Sequence, residues 1–256
     1  MNEHPLVIAH RGFPREAPEN TIPAFEKALE AGAHMIELDV RSTSDGHPVV
    51  FHDYSLYRTT SQRGLIEMLT LRQVEKLDVG AQRGEEFHGT RIPQLEEALI
   101  FARNRVPVNI ELKTPGIERK IVNLIKKHSM TRSVLVSSFR YSSLKKIAEM
   151  EPEIRLGVIA VFLSGFDDIV KDLNPYSVHL WSPLLLSKIP IDHAHSRGLR
   201  VYAWPVNSVR QFRVLSILGV DAMITEMPDR LVQALPPEQR GVTRKTLPPR
   251  LKPKKA

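Results

Sequence analysis

From Ile92 to about residue 235, short apolar extended runs alternate with stretches whose apolar residues recur at helical spacing, without a break. Extended runs near 106–112, 133–138, 154–160, 176–180, 199–204 and 221–225 interleave with helical stretches at about 94–104, 116–128, 141–150, 166–172, 187–196, 208–218 and 228–235. A helix between two strands carries the chain back so that the next strand runs parallel to the last, and a parallel sheet covered by helices follows. With the two or three extended runs upstream, the count reaches eight or nine. That fits a closed TIM-type (β/α)8 barrel better than an open doubly wound sheet, and 256 residues is the size of one such barrel. No G-x-G-x-x-G turn or P-loop occurs, which argues against a nucleotide-binding α/β fold.

Upstream the pattern is less regular. Leu6 to Ala9 reads as a first strand, and Ile22, Phe25, Ala28 and Leu29 as a helix with Asn20 or Thr21 as N-cap and Gly32 as its stop. Met35 to Val40 and Pro48 to Phe51 flank Asp45-Gly46, a strong hairpin signal. If Asp45 and Gly46 are the loop, Ser44 faces His47 and Asp39 faces His52, which puts Glu37, Asp39 and His52 on one face. Residues 53–90, with Gly64, Gly80, Gly84, Gly89 and a short helical stretch near Thr70 to Leu77, read as a small insertion after the third strand, lying over one barrel face.

Charge enters where a partner is in question. The net charge is +7, but between Pro236 and Ala256 seven basic residues stand against Glu238 alone, giving +6 there and leaving +1 for residues 1–235. The organisation is therefore expected to be a nearly neutral barrel over 1–235 and a basic, proline-rich, disordered tail over 236–256. A specific nucleic-acid partner is not expected, and weak attraction of the tail to anionic surfaces is the most that charge adds. Cysteine is absent, so any metal must take oxygen or imidazole ligands. The first strand begins within about five residues, which leaves no room for a signal peptide, and no apolar run reaches the roughly 20 residues that span a bilayer. A cytoplasmic location is the default expectation.

Ionisable residues gather where strands would end: His10-Arg11, Glu37 and Asp39, His52-Asp53, Glu111 and Lys113. Three carboxylates brought together repel unless a cation joins them, and hard oxygen ligands select Mg²⁺, Ca²⁺ or Mn²⁺. A lone Glu-x-Asp is more often a helix cap or an ion-pair partner; with Glu111 and two histidines nearby, one divalent cation held by Glu37, Asp39 and Glu111 becomes the better reading. His10 and His52 titrate near neutrality and suit general acid and base. The other eight histidines, His179 among them, read as surface or satisfied core residues. Arg11 can fork onto phosphate oxygens and Lys113 adds a point charge, roles compatible with pairing to the same carboxylates. Trp204, at the end of Val201-Tyr202-Ala203, reads as barrel lining or as an apolar wall of a substrate pocket.

Together with Glu19-Asn20-Thr21, Arg58-Thr59-Thr60, Ile92-Pro93, Asn109-Ile110, Ser138-Phe139, Val206-Asn207 and Gly219-Val220-Asp221, these residues resemble the glycerophosphodiester phosphodiesterase family over residues 6 to about 234. The resemblance implies a barrel with an inserted segment, and hydrolysis of glycerophosphodiesters to glycerol 3-phosphate and an alcohol. It implies a divalent ion on Glu37, Asp39 and Glu111, acid–base work by His10 and His52, and phosphate binding by Arg11 and Lys113. Water and the glycerol 2-hydroxyl are both open as nucleophile. Two other readings stay open: a lysophospholipase D or cyclic-phosphate-forming enzyme on the same fold, and an inactive phosphodiester-binding protein. Two positions depart from the family pattern. Pro205 follows Trp204 where the family has Trp-Thr-Val-Asn, and Glu226 stands where an aspartate is usual. Neither belongs to the inferred metal or histidine set, and both bear on pocket shape.

Overall fold

The structure, a computed structural model, describes residues 4–161, 166–240 and 245–252. Among them lie nine strands: β1 (Leu6–Ala9), β2 (Met35–Ser42), β3 (Pro48–Val50), β4 (Val108–Leu112), β5 (Val134–Ser138), β6 (Arg155–Ala160), β7 (Ser177–Trp181), β8 (Arg200–Trp204) and β9 (Ala222–Thr225). All but β3 form a parallel ring in the order β1-β2-β4-β5-β6-β7-β8-β9, closed where β9 pairs back onto β1. The strand β3 lies outside the ring, antiparallel against the far end of β2. The expected (β/α)8 barrel is what forms. The helices are α1 (Ile22–Glu30), the short α2 (Tyr57–Thr60) and α3 (Leu71–Val74), then α4 (Leu95–Ala102), α5 (Glu118–Lys127), α6 (Tyr141–Met150), α7 (Phe166–Leu173), α8 (Ile189–Ser196), α9 (Val209–Leu218) and α10 (Pro228–Gln233). Among the described residues no helix is long and apolar enough to cross a membrane.

The two-residue period of a strand sorts its side chains between two cores. Val7, Leu38, Val40, Ile110, Leu112, Val136, Val158, Val178, Val201 and Met223 point outward and are buried against helices. Leu6, Ile8, Met35, Leu135, Tyr202, Ala222 and Ile224 point inward and fill the barrel. Cutting a fully buried inner residue such as Ile8 or Met35 back to alanine should cost about 2–5 kcal/mol. This parity places the site, because the inward positions at the strand ends are ionisable or aromatic.

Helix α1 starts at Thr21, whose hydroxyl accepts from Ala24 N at 3.4 Å, and ends before Gly32, whose φ is +80°. The hairpin forms with a register one residue from that expected. Val40 pairs with Val50, and Phe51 N donates to Asp39 O at 2.9 Å, so Asp39 lies opposite Phe51 and not His52. The loop holds three residues: Thr43 pairs with His47 and Gly46 N bonds back to Thr43 O at 2.9 Å, with Gly46 at φ +77°. The insertion has a small core of its own, in which Leu56, Ile66, Val74, Leu77 and Val79 meet Val49, Phe51 and Ile92.

The tail expected to be disordered is, over residues 245–252, bound to the N-terminal end of the barrel. Leu247 is buried in the inner core beside Leu6 and Ile8. Pro248 O accepts from Arg155 at 2.7 Å and from Tyr176 Oη at 3.0 Å, while Pro249 O accepts from Arg200 at 3.1 Å. A prolyl residue has no N–H to satisfy yet keeps its carbonyl, so a proline-rich segment can be pinned by donors from one side alone. Residues 241–244 and 253–256 of that tail lie outside the described residues.

Candidate active site

His10 is the inward residue one step beyond the end of β1. The chain then turns sharply, with Arg11 at φ +56° and Gly12 at φ +82°. A Cβ at Gly12 would sit 2.7 Å from a backbone carbon of Ala24 in α1, so only glycine lets the turn press against that helix. The turn aims Arg11 N at Glu37 Oε2 (2.8 Å) and its carbonyl at Asn20 N (3.0 Å).

Glu37 and Asp39 are consecutive inward residues of β2, and Glu111 is the inward residue of β4 in register with Asp39. One carboxylate oxygen from each lies within 4.8 Å of the other two. Asp39 is fully buried; Arg11 Nε (3.1 Å) and Lys113 Nζ (3.1 Å) pair with it, and Asn20 Nδ2 donates to it at 2.9 Å. Burial opposes its charge, but Lys113 and Arg11 hold its carboxyl well below the ordinary carboxylate range. Glu37 fares differently. Burial, reinforced by the charge on Asp39, pushes it up to about 8. Glu111 is also raised, by burial and by Asp39, although Lys113 bonds to it. Glu37 Oε1 is buried without a hydrogen-bond partner, and Asp39 Oδ1 has Lys113 beside it but not in hydrogen-bond alignment. Three converging carboxylates with unsatisfied oxygens fit a hard divalent cation.

His52 reaches the same cavity by a route the hairpin register would not give. The extended pairing ends at Val50, and the chain turns out of the strand; Arg41 Nε holds His52 O at 2.6 Å, with the Arg41 guanidinium 3.7 Å from the Tyr54 ring centre. The His52 Nδ1 lies 2.6 Å from Asp53 Oδ1. Burial lowers the His52 pKa from its ordinary value. His10 moves the other way: burial opposes its charge, but Glu226 and Glu37 outweigh that and raise it. Glu226, set apart from the histidines in the sequence, is the inward residue beyond β9 and stands 3.7 Å from His10 Nδ1.

A chain of ion pairs joins the insertion to this centre. Arg58 of α2 bonds Glu19 at 2.6 and 2.7 Å and Asp53 at 2.6 Å, and Glu19 in turn bonds Arg11 at 3.0 Å.

These side chains surround a cavity of about 260 Å³. Its charged half is His10, Arg11, Glu37, His52, Glu111 and Lys113; its other half is Phe139, Ile159, Trp204, Pro205 and Ile224, with Phe139 set edge-on to Trp204 at 5.8 Å. Asp39 lies behind the wall. The candidates from the sequence thus come together, including Trp204. Glu226, expected to bear on pocket shape, lines the cavity too, as do Asn109, Phe139 and His179, to which the sequence reading gave no site role. The signal was parity: each lies two residues along a strand direction from another inward position.

Residues 10–230 match the model of the glycerophosphoryl diester phosphodiesterase family. A glycerophosphodiester phosphodiesterase of Caldanaerobacter subterraneus subsp. tengcongensis is 37% identical over 238 residues, covering 89% of this chain and 96% of the relative. A glycerophosphodiester phosphodiesterase of Bacillus altitudinis is 35% identical, over 89% and 96% of the two chains. Among solved structures, a phosphodiesterase of Oleispira antarctica in complex with the product sn-glycerol-3-phosphate superposes with a TM-score of 0.82 at 30% identity, over 90% of this chain and 96% of that one. With the family model spanning nearly the whole barrel and relatives this similar along almost their full length, the chain belongs to the glycerophosphoryl diester phosphodiesterase family.

Proposed function

We propose that this protein, a phosphoric diester hydrolase, cleaves glycerophosphodiesters to glycerol 3-phosphate and an alcohol, with one divalent cation and a pair of histidines. The observation that carries the reading is the convergence of Glu37, Asp39 and Glu111 within 4.8 Å at the wall of a cavity lined by Glu37, Glu111, His10, His52, Arg11 and Lys113. The relatives named for this activity, and the Oleispira antarctica enzyme holding glycerol 3-phosphate, support the same substrate class.

A cation bound to the three carboxylates supplies positive charge for the non-bridging phosphate oxygens and relieves the repulsion among its ligands. Arg11, clamped by Glu19 and Asp39, and Lys113, clamped by Asp39 and Glu111, present fixed positive charge to the same oxygens. Their pairing matters because donors already held in place need no reordering as charge develops. The two histidines are shifted in opposite directions, His10 upward beside Glu226 and His52 downward by burial, which favours His10 as the acid and His52 as the base. His52 then takes a proton from the attacking oxygen, and His10 gives one to the leaving alcohol. Asp53 on His52 Nδ1 fixes the ring and leaves Nε2 as the nitrogen that takes the proton.

The test is release of glycerol 3-phosphate from glycerophosphocholine and glycerophosphoethanolamine with Mg²⁺, Ca²⁺ or Mn²⁺, and with EDTA. Release that depends on the ion and stops with EDTA is expected. No release with any of the three ions would overturn the reading, and cyclic glycerophosphate in its place would move it to the cyclising reaction.

A further inference from the structure

Beneath the charged half of the cavity the barrel carries a second polar layer that the proposed chemistry leaves unused. Asn109 is the inward residue of β4 two positions before Glu111, and His179 is the inward residue of β7 beside Tyr202 of β8. Each is only 1% exposed, and each lines the 260 Å³ cavity. The Asn109 Oδ1 and the His179 Nδ1 are both buried with no hydrogen-bond partner. Buried polar atoms without partners are uncommon, and two in the floor of one cavity call for a ligand that brings its own polar groups.

The His179 ring is held in place from several sides. Its Nε2 lies 3.0 Å from Ser177 Oγ, its face stacks on the Tyr202 ring at 4.8 Å and 21°, and its carbonyl accepts from Trp204 Nε1 at 3.1 Å. Space for the ring comes from Gly157 on β6, where a Cβ would fall 2.5 Å from His179 Nε2. At φ values where any residue could sit, this glycine is small because the imidazole occupies its side-chain volume. Burial drives the His179 pKa down to about 3, so the ring is neutral near pH 7 and its free nitrogen is one half of a neutral hydrogen bond. A neutral imidazole nitrogen and an amide oxygen bring no positive charge, so they make a poor anion site. They suit hydroxyl groups, which donate and accept. The walls beside them, Ile159, Ile224 and Trp204, suit the C–H faces of a short polyol.

We propose that Asn109 and His179 form the subsite for the free hydroxyls of the substrate's glycerol group, with Gly157 kept small to admit His179, and that these residues set the preference for a glycerol ester over other phosphodiesters. The assignment rests on the glycerophosphodiesterase reading above and adds the residues that recognise the part of the substrate away from phosphorus.

The experiment compares wild type with Asn109→Ala, His179→Ala, His179→Gln and Gly157→Ala, all with Mg²⁺. Turnover is measured on glycerophosphocholine and on bis(4-nitrophenyl) phosphate, which carries no glycerol. Calorimetric titration with glycerol 3-phosphate and with inorganic phosphate gives a second readout that needs no turnover. Loss of a hydrogen bond to a hydroxyl should lower the ratio of kcat/KM for the glycerol ester to that for the aryl ester by about 10- to 100-fold, mostly through KM. Glycerol 3-phosphate should lose affinity relative to phosphate by a similar factor. His179→Gln should recover part of the loss, and Gly157→Ala, which removes no polar group, should reproduce it by displacing the ring. A ratio that stays within about twofold of wild type in the folded variants, with unchanged glycerol 3-phosphate binding, would mean that water fills the floor and would overturn the proposal. Equal losses on both esters would overturn it too, by assigning these residues a general structural role. If wild type cleaves the aryl ester but neither cleaves glycerophosphocholine nor binds glycerol 3-phosphate, the functional reading itself fails, and the subsite with it.

Discussion

Replacing Glu37 by glutamine should abolish activity while making the metal-free protein more stable at alkaline pH, an unusual pairing of effects. Glu37 is raised from 4.5 to about 8 by burial and by the charge on Asp39. The folded state therefore holds a proton that the unfolded chain has lost between these two values. Stability is fully present below about pH 4.5 and is lost as pH climbs through about 8, at about 1.4 kcal/mol per pH unit and on the order of 5 kcal/mol in all. Glu111 and His10 are shifted upward as well and steepen the fall, His52 is shifted downward and opposes it, and Asp39 stays ionised throughout the window and contributes no slope. For a chain of this length about 5 kcal/mol corresponds to roughly 10–20 °C in Tm. Melting curves of wild type and Glu37→Gln in EDTA, from pH 5 to 9, read this directly. Wild type should lose Tm steadily above pH 5, and the variant should lose much less. Saturating Mg²⁺ or Mn²⁺ should restore wild type most at the alkaline end, and the variant little. A metal-free variant that melts at or below wild type at pH 8.5 would refute the idea that uncompensated burial of Glu37 dominates this site.

Three further outcomes follow from the geometry. His10→Ala and His52→Ala should each lower kcat by about 10²- to 10⁴-fold with folding intact, checked by steady-state kinetics alongside circular dichroism. Glu226→Gln removes a carboxylate 3.7 Å from His10 that raises its pKa. The alkaline limb of the kcat/KM profile, which reports loss of the proton from His10, should therefore move to lower pH; an unmoved limb would take His10 out of the acid role. Gly12→Ala places a Cβ 2.7 Å from α1 at a φ of +82°. Backbone strain of about 1–2 kcal/mol and a forced shift of about 1–3 kcal/mol should together lower Tm by about 5–15 °C, measured by differential scanning calorimetry.

The barrel was legible because strand and helix each carry a period, and α6 falls on the residues its periodicity marks, 141–150. The hairpin was legible as a hairpin but not in register. Asp45-Gly46 signals a two-residue loop, whereas Thr43 uses its hydroxyl to bond Asp45 Oδ1 at 2.6 Å and to accept from His47 N at 2.8 Å, which draws a third residue into the turn. His52 nonetheless reaches the cavity, since the chain leaves the strand after Val50. The tail misled because composition counts prolines and charges but not whether one leucine finds an open barrel end. His179 was passed over, and Glu226 was read only as bearing on pocket shape and not as a partner of His10, for a related reason. Motif matching weighs positions singly, and only the alternation along β7 and β9 shows that both side chains point where His10 and Glu37 point.

The Arg58–Glu19–Arg11 relay bears on how such enzymes can be recombined. The insertion does not rest passively over the pocket; its first helix supplies the counter-charge that orients the residue next to Arg11 and, through Asp53, the ring of His52. An insertion transplanted from a relative without an arginine at the position of Arg58 would bring its own substrate contacts but leave Glu19 without its partner across the pocket. Chimeras in this family should therefore exchange residues 53–90 together with Glu19, as one cassette, if turnover is to travel with specificity.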